Sequence, residues 1–63
     1  QLDKFLDDAV LGGLQTVRIV HGKGEGILRK MAHSALKRHK GVKSFREADA
    51  NEGGQGVTIA TLA

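Results

Sequence analysis

No cysteine occurs in the sequence, so neither a disulfide nor a thiolate metal site can brace the fold. Proline, tryptophan and tyrosine are missing as well, and Phe5 and Phe45 are the only phenylalanines. The core must therefore be built from Leu, Ile, Val and Ala. No apolar run approaches the about 20 residues that a membrane-spanning helix needs, and no signal-peptide pattern opens the chain. These absences predict a cytoplasmic domain without membrane contact. The 63 residues make a single small domain, of a size that buries only about 60% of the surface its unfolded chain exposes. Gln1–Leu11 already reads as the interior of a helix, with no capping signal before it, which predicts a fragment of something longer.

Charge is unevenly spread. Residues 1–16 carry a net −2, residues 17–46 a net +8, and residues 47–63 a net −3, for +3 overall. The basic block surrounds and follows a glycine-rich stretch. Such a block suits a polyanion partner, and it also suits the solvated face of a helix.

Leu2, Phe5, Leu6, Ala9 and Val10 recur at helical spacing, with Asp3, Lys4, Asp7 and Asp8 on the other side. Gly12-Gly13 then ends the helix as a C-terminal cap. Asp7 and Asp8, being adjacent, point different ways and read as a solvated face. Thr16–Val20 reads as a strand buried on both faces, interrupted by Arg18. Arg18 reads as a snorkelling surface arginine, with a sheet-edge or ligand-side position as the alternative. A second helix follows, with Ile27, Leu28, Met31, Ala32, Ala35 and Leu36 as its buried stripe. Arg29, His33 and Lys37 form one row on its other side. Val42–Arg46 is the next strand, with Val42, Ser44 and Arg46 on one side and Lys43 and Phe45 on the other. Glu47–Gly56 is a flexible acidic loop. Val57–Leu62 is the last strand, with Thr58, Ala60 and Leu62 sharing a side. The order is α-β-α-β-β, a three-stranded sheet with helices on one or both faces. A preceding strand would complete the α/β unit.

Between the first strand and the second helix lies His21-Gly22-Lys23-Gly24-Glu25-Gly26. Glycine at alternate positions permits positive φ and close approach of a ligand to the backbone. The turn leads into a helix N-terminus, where free N–H groups and the helix dipole favour an anion. A dinucleotide fingerprint needs G-x-G-x-x-G and an acidic residue about 20 positions on. These glycines miss that spacing, and position 46 is Arg. No Walker phosphate loop is present either. A compact strand-to-helix turn is the plainer reading of the three glycines. Arg29 and Lys30 stand in the first helical turn, where cations oppose the dipole by about 0.3–1 kcal/mol each. A bound anion would remove that conflict, whereas Lys37, Arg38 and Lys40 suit the C-terminal end without one.

The three histidines show no metal-ligand spacing, and no ligand set for a divalent cation or other cofactor is visible. His33 reads as a surface histidine and His39 as a helix-end histidine. His21 is open to three readings: a general acid or base, a donor to phosphate, or a structural group bonded to the turn. Ser34 has no base at useful spacing.

The stretch VRIVHGKGEGILRK resembles the H-G-x-G-x-G signature of the small MutS-related (Smr) domain. The likeness runs along the whole chain, through the DKFLDDAVLGGL helix, the basic helix, the V-K-S-F-R strand, the Gly-rich acidic loop and the terminal G-V-T strand. It is similar to the version at the C-terminus of bacterial anti-recombination MutS-like ATPases. The resemblance implies a two-layer α/β sandwich like the C-terminal domain of translation initiation factor three, with the full domain running β-α-β-α-β-β. It implies binding of DNA or RNA, with nicking endonuclease or ribonuclease activity, in recombination control or ribosome rescue. By the motif match, His21, Gly22, Lys23, Gly24 and Gly26 carry over. The family's upstream Leu-Asp-x-His/Arg-Gly motif has no counterpart in these 63 residues, so residues 1–63 are expected to be one Smr-like domain that starts after it. An unfilled sheet position then offers a route to self-association.

The function expected is nucleic-acid binding by Gly22, Lys23, Gly24, Gly26, Arg29 and Lys30. Phosphodiester cleavage in the intact protein would use His21 and Lys23. A non-catalytic module that docks on DNA, RNA or a ribosome is the alternative, and a structural dimerisation domain a third.

Overall fold

A computed structural model of the chain describes residues 2–24 and 26–63. Gln1, placed by the sequence in the first helix, and Glu25, placed in the glycine turn, lie outside the described residues. The elements run α1 (Leu2–Leu11), β1 (Thr16–Val20), α2 (Ile27–Arg38), β2 (Val42–Glu47) and β3 (Val57–Leu62). The strands form one antiparallel sheet in the order β1-β3-β2. β1 and β2 are thus parallel to each other, with β3 inserted between them.

α1 ends as its sequence dictates. Gly13 takes φ 78°, and two backbone bonds close a Schellman cap: Leu14 N–H to Ala9 O and Gly13 N–H to Val10 O, both 3.1 Å. Leu6 and Ala9 of α1 and Leu36 of α2 meet Val17 of β1 and Ala60 and Leu62 of β3 in one core. Leu2, Val10, Ile19, Val42 and Phe45 surround it. Both helices therefore lie on the same face of the sheet, giving two layers.

That one-sided arrangement corrects the expectation that β1 is buried on both faces. Val17 is buried, but Val20 on the opposite face is 67% exposed. The buried stripe of α2 is also shorter than its spacing predicts. Ala32, Ala35 and Leu36 are buried, whereas Ile27, Leu28 and Met31 are all about 60% exposed. The first turn of α2 lies beside β1, which pairs only with β3. No further strand among the described residues covers those side chains. Leu28 and Met31 instead line a groove of about 350 Å³ with Leu2, Ile19 and Val20.

In β2 the strict alternation fails as well. A β-bulge between Val42 and Ser44 shifts the register, so Val42 pairs with Leu62 while Phe45 pairs with Ala60. Val42 and Phe45 then pack on the same core, although simple alternation puts them on opposite sides.

Residues 48–56 are more ordered than their composition suggests. Two short 3₁₀ turns, Ala50–Glu52 and Gly54–Gly56, fold this segment. The Glu52 carboxylate accepts from Asp49 N–H at 3.1 Å and from Arg46 at 3.2 Å. The backbone bond first, and then Arg46, hold that carboxyl below its ordinary range. Arg18 donates to Glu52 O at 3.3 Å. Arg18 and Arg46 both pair across from Ile59, so they clamp the segment from either side of β3. Arg18 thereby serves the loop rather than reaching the glycine turn. Gly53 takes φ 119°, and a Cβ there would come 2.5 Å from Val57 Cγ2. This close approach explains how Val57 is buried on the helix-free face.

Candidate functional site

β1 delivers His21 to the top of the sheet, where the chain turns over Gly56. The N–H groups of His21 and Gly22 both donate to Gly56 O at 3.0 Å. Gly22 at φ 82° reverses the chain, and Gly26 at φ 84° opens α2. No side chain caps that helix start, and the first helical bond runs from Lys30 N–H to Gly26 O at 3.0 Å. N–H groups ahead of it remain directed at the turn. Gly24 differs from its two neighbours in the motif. Its φ is not positive, and a Cβ there would meet no atom within 4 Å. Among the described residues nothing crowds a side chain at position 24.

The expected site residues divide between two faces. Lys23, Gly24, Gly26, Arg29 and Gln55 line one hollow of about 220 Å³. His21, Gly22, Gly24, Gly26 and Arg29 line a second of about 160 Å³, together with Ile27 and Leu28. His21, Gly22, Lys23, Gly24, Gly26 and Arg29 are thus brought together around the turn. Lys30 lines neither hollow. It opens on a broader groove of about 630 Å³ between α2 and β2, shared with Arg29, His33, Ser34, Lys37, Phe45 and Glu47.

The argument from opposed helix-start cations changes for Arg29. Its guanidinium bonds Glu47 at 2.8 Å, with the two side chains 36% and 45% exposed. A partly exposed pair of this kind contributes about 0–1 kcal/mol, but it answers the charge conflict without a ligand. Of the two first-turn cations, only Lys30 keeps the original argument.

His21 has both ring nitrogens engaged. Nδ1 donates to Gly22 O at 3.0 Å, since a carbonyl can only accept. Nε2 lies 2.8 Å from Thr58 Oγ1. His33 Nε2 reaches the same hydroxyl at 2.9 Å, and the two rings meet edge to face at 6.1 Å. His33 is therefore no plain surface histidine. It rests against Phe45, with ring centroids 5.0 Å apart. Burial first, then the nearby His21 and Arg29, push its pKa down from 6.5, with Glu47 opposing them. His39, by contrast, is the helix-end histidine that the sequence predicts: it caps α2 and bonds Asp7 at 2.7 Å.

Thr58 was missed by sequence reasoning, but a signal existed. It shares the core face of β3 with Ala60 and Leu62, and a buried hydroxyl on such a face needs a partner. It is 0% exposed, and the two histidines satisfy it. Among the described residues no cluster of three His, Asp or Glu side chains forms a metal-binding arrangement.

The family model of the Smr domain matches residues 1–63. The chain is 58% identical over 62 residues to "Endonuclease MutS2" of Geobacillus kaustophilus, covering 98% of this chain and 8% of that protein. It is 53% identical over 62 residues to the "Putative endonuclease MutS2" of Bacillus subtilis, with the same coverage. The chain thus spans less than a tenth of the length of these relatives. Its fold superposes on the crystal structure of the Smr domain of Thermus thermophilus MutS2 with a TM-score of 0.93 at 47% identity, covering 98% of this chain and 78% of the other. YdaL, a stand-alone small MutS-related protein from Escherichia coli, gives a TM-score of 0.88 at 29% identity, covering 94% and 50%. Sequence, topology and the glycine turn agree, and the chain belongs to the Smr domain family.

Proposed function

We propose that the chain binds nucleic acid, taking a backbone phosphate on the glycine turn between β1 and α2. In a longer parent protein, it would supply part of a nicking endonuclease site. The observation that carries this reading is the placement of Lys23 beside the uncapped, glycine-walled start of α2, with Arg29, already paired to Glu47, on the same hollow. Free N–H groups there favour a phosphate and Lys23 neutralises it, while Arg29 would join by exchanging its Glu47 partner for the phosphate. Lys30 and Lys37 extend positive charge into the neighbouring groove, where Arg29 is paired with Glu47, so a strand can continue from the turn along α2. The relatives bearing the name endonuclease support the cleavage reading. In that reading His21 is the proton-transfer residue and Lys23 steadies the developing charge.

Phosphate neutralisation has a direct signature. Each lost contact to duplex DNA flattens the plot of log affinity against log salt by about 0.9. The Lys23→Ala, Arg29→Ala double variant is expected to weaken binding and to lose about 1.8 from that slope. An unchanged slope removes the turn as the phosphate site. Nicking of supercoiled plasmid by the longer parent protein, with and without His21→Ala, tests the cleavage half.

A second reading is favoured by one observation: both nitrogens of His21 are occupied within the protein. A binding module without chemistry, docking on DNA, RNA or a ribosome, has no need of a free nitrogen. Binding by a parent protein that never nicks supports this reading. The processes that fit the two readings are recombination control and rescue of stalled ribosomes, both in the cytoplasm. Competition between duplex DNA and ribosomal RNA separates them. Self-association is assigned to the edge of β1 that has no strand partner among the described residues, beside Val20, Leu28 and Met31. A monomeric mass at high concentration removes it.

A further inference from the structure

The hydrogen bonds around Thr58 allow one arrangement of protons when both rings are neutral. Gly22 O can only accept, so His21 carries its proton on Nδ1. Its bare Nε2 must then accept the Thr58 hydroxyl proton. A hydroxyl has one proton to give. His33 therefore donates to Oγ1 and carries its own proton on Nε2. The chain of bonds runs in one direction, from His33 through Thr58 to His21 and on to Gly22 O. His33 Nδ1 has no partner among the described residues, and His33 lines the basic groove between α2 and β2.

We propose that Thr58 and His33 are positioning residues for His21, forming a hydroxyl-bridged relay that links the protonation of His21 to the tautomer of His33. A proton taken up at His33 Nδ1 moves the Nε2 proton of His33 to Thr58 Oγ1. The original hydroxyl proton passes to His21 Nε2. His33 ends neutral with its proton on Nδ1, Thr58 is unchanged, and His21 becomes the cation. One proton enters and one is stored. The charged groups facing the relay are Arg29 on α2 and Glu47 on β2, with Lys30 and Lys37 along the groove. Burial first, and then Arg29, disfavours charge on His33, with Glu47 opposing, and the bridge gives that charge a route to His21. The burial of Thr58 keeps water from replacing the bridge.

The use of this relay in catalysis rests on the reading of His21 as a proton-transfer residue. The relay itself is testable without nucleic acid, so the two fail separately. Long-range ¹⁵N spectra of the imidazoles in the 63-residue chain report each tautomer. Above both titrations, His21 is expected to be protonated on Nδ1 and His33 on Nε2. As His21 takes up a proton, His33 is expected to pass to the Nδ1 form. Thr58→Ser keeps this linked change, whereas Thr58→Val abolishes it while the amide spectrum stays dispersed. The same tautomer on both rings, or a His33 tautomer that does not move while His21 titrates, overturns the relay. Should the valine variant unfold, the wild-type titration still decides.

Discussion

The two ends of α2 use the same residue types for opposite purposes. At its C-terminal end, Gly41 is crowded: a Cβ there would lie 2.7 Å from Val10 Cγ2 and 3.1 Å from the His39 ring. His39 is locked into the fold, with Nδ1 accepting from Gly41 N–H at 2.9 Å and Nε2 donating to Asp7 at 2.7 Å. These bonds join the end of α2 to α1, and the glycine is small because the backbone has come close. At the N-terminal end, Gly22, Gly24 and Gly26 stand largely in open space. His21 and His33 face a hydroxyl rather than a carboxylate, and their arrangement has a defined proton direction. Gly22 and Gly26 are explained by their positive φ, so of the open glycines it is Gly24 that the fold leaves unexplained.

The sharpest test of the contrast lies at the closed end. Gly41→Ala drives a methyl into a stiff β-branched side chain and against an imidazole held at both nitrogens. Overpacking of this kind costs about 1–3 kcal/mol. In a domain of this size each kcal/mol lowers Tm by about 4–8 °C. Thermal unfolding measures the loss. Nucleic-acid binding per folded molecule is expected to stay at the wild-type level. A variant with wild-type Tm would show that this end is not built on close approach.

Much of this division was legible in the sequence. Helical spacing and the Gly12-Gly13 stop placed α1, which has a solvent side and a core side, and the β-branched run placed β3, whose start at Val57 and Thr58 lies buried on both faces. The motif placed His21 and its glycines together. The rest depended on tertiary neighbours. The exposure of Ile27, Leu28 and Met31 follows from what covers α2 and β1, which local spacing does not encode. The bulge that puts Val42 beside Phe45 depends on pairing with β3. Arg29 looked unpaired because Glu47 lies 18 residues on in sequence, although it is 2.8 Å away in space. His33 looked like a surface residue because its partner, Thr58, is 25 residues distant. The residues whose surroundings the sequence misplaced all make long-range polar contacts, which periodicity cannot show.

The next test concerns the open end and has a middling effect on stability. His33 resists protonation in the fold, whereas in the unfolded chain it takes a proton near its ordinary value of 6.5. Below that pH the unfolded chain binds more protons than the folded one, so stability falls as pH drops. The contribution is fully present above 6.5 and is lost down to the lowered folded value. Tm of the wild type is expected to decline from about pH 6.5 downward. His33→Gln, which keeps an N–H donor for Thr58, is expected to flatten that decline. Parallel curves for the two proteins would show that His33 titrates as freely folded as unfolded.

The smallest expected effect on stability belongs to Gly24→Ala, and that is its value. The backbone there needs no positive φ, and the added methyl meets nothing within 4 Å. Tm is expected to stay within the shift produced by about 0.5 kcal/mol, as for an ordinary surface change. Among the described residues the methyl touches nothing, and it stands in the hollow that Lys23, Gly26 and Arg29 line, where it obstructs approach to the turn from outside. Affinity for nucleic acid is therefore expected to fall at least tenfold with the fold intact. Together with Gly41→Ala, this would complete a double dissociation: one glycine held by packing, the other by a ligand. If Gly24→Ala binds like the wild type, the open glycines are merely a turn, and the phosphate site must be sought along the groove of Lys30 and Lys37.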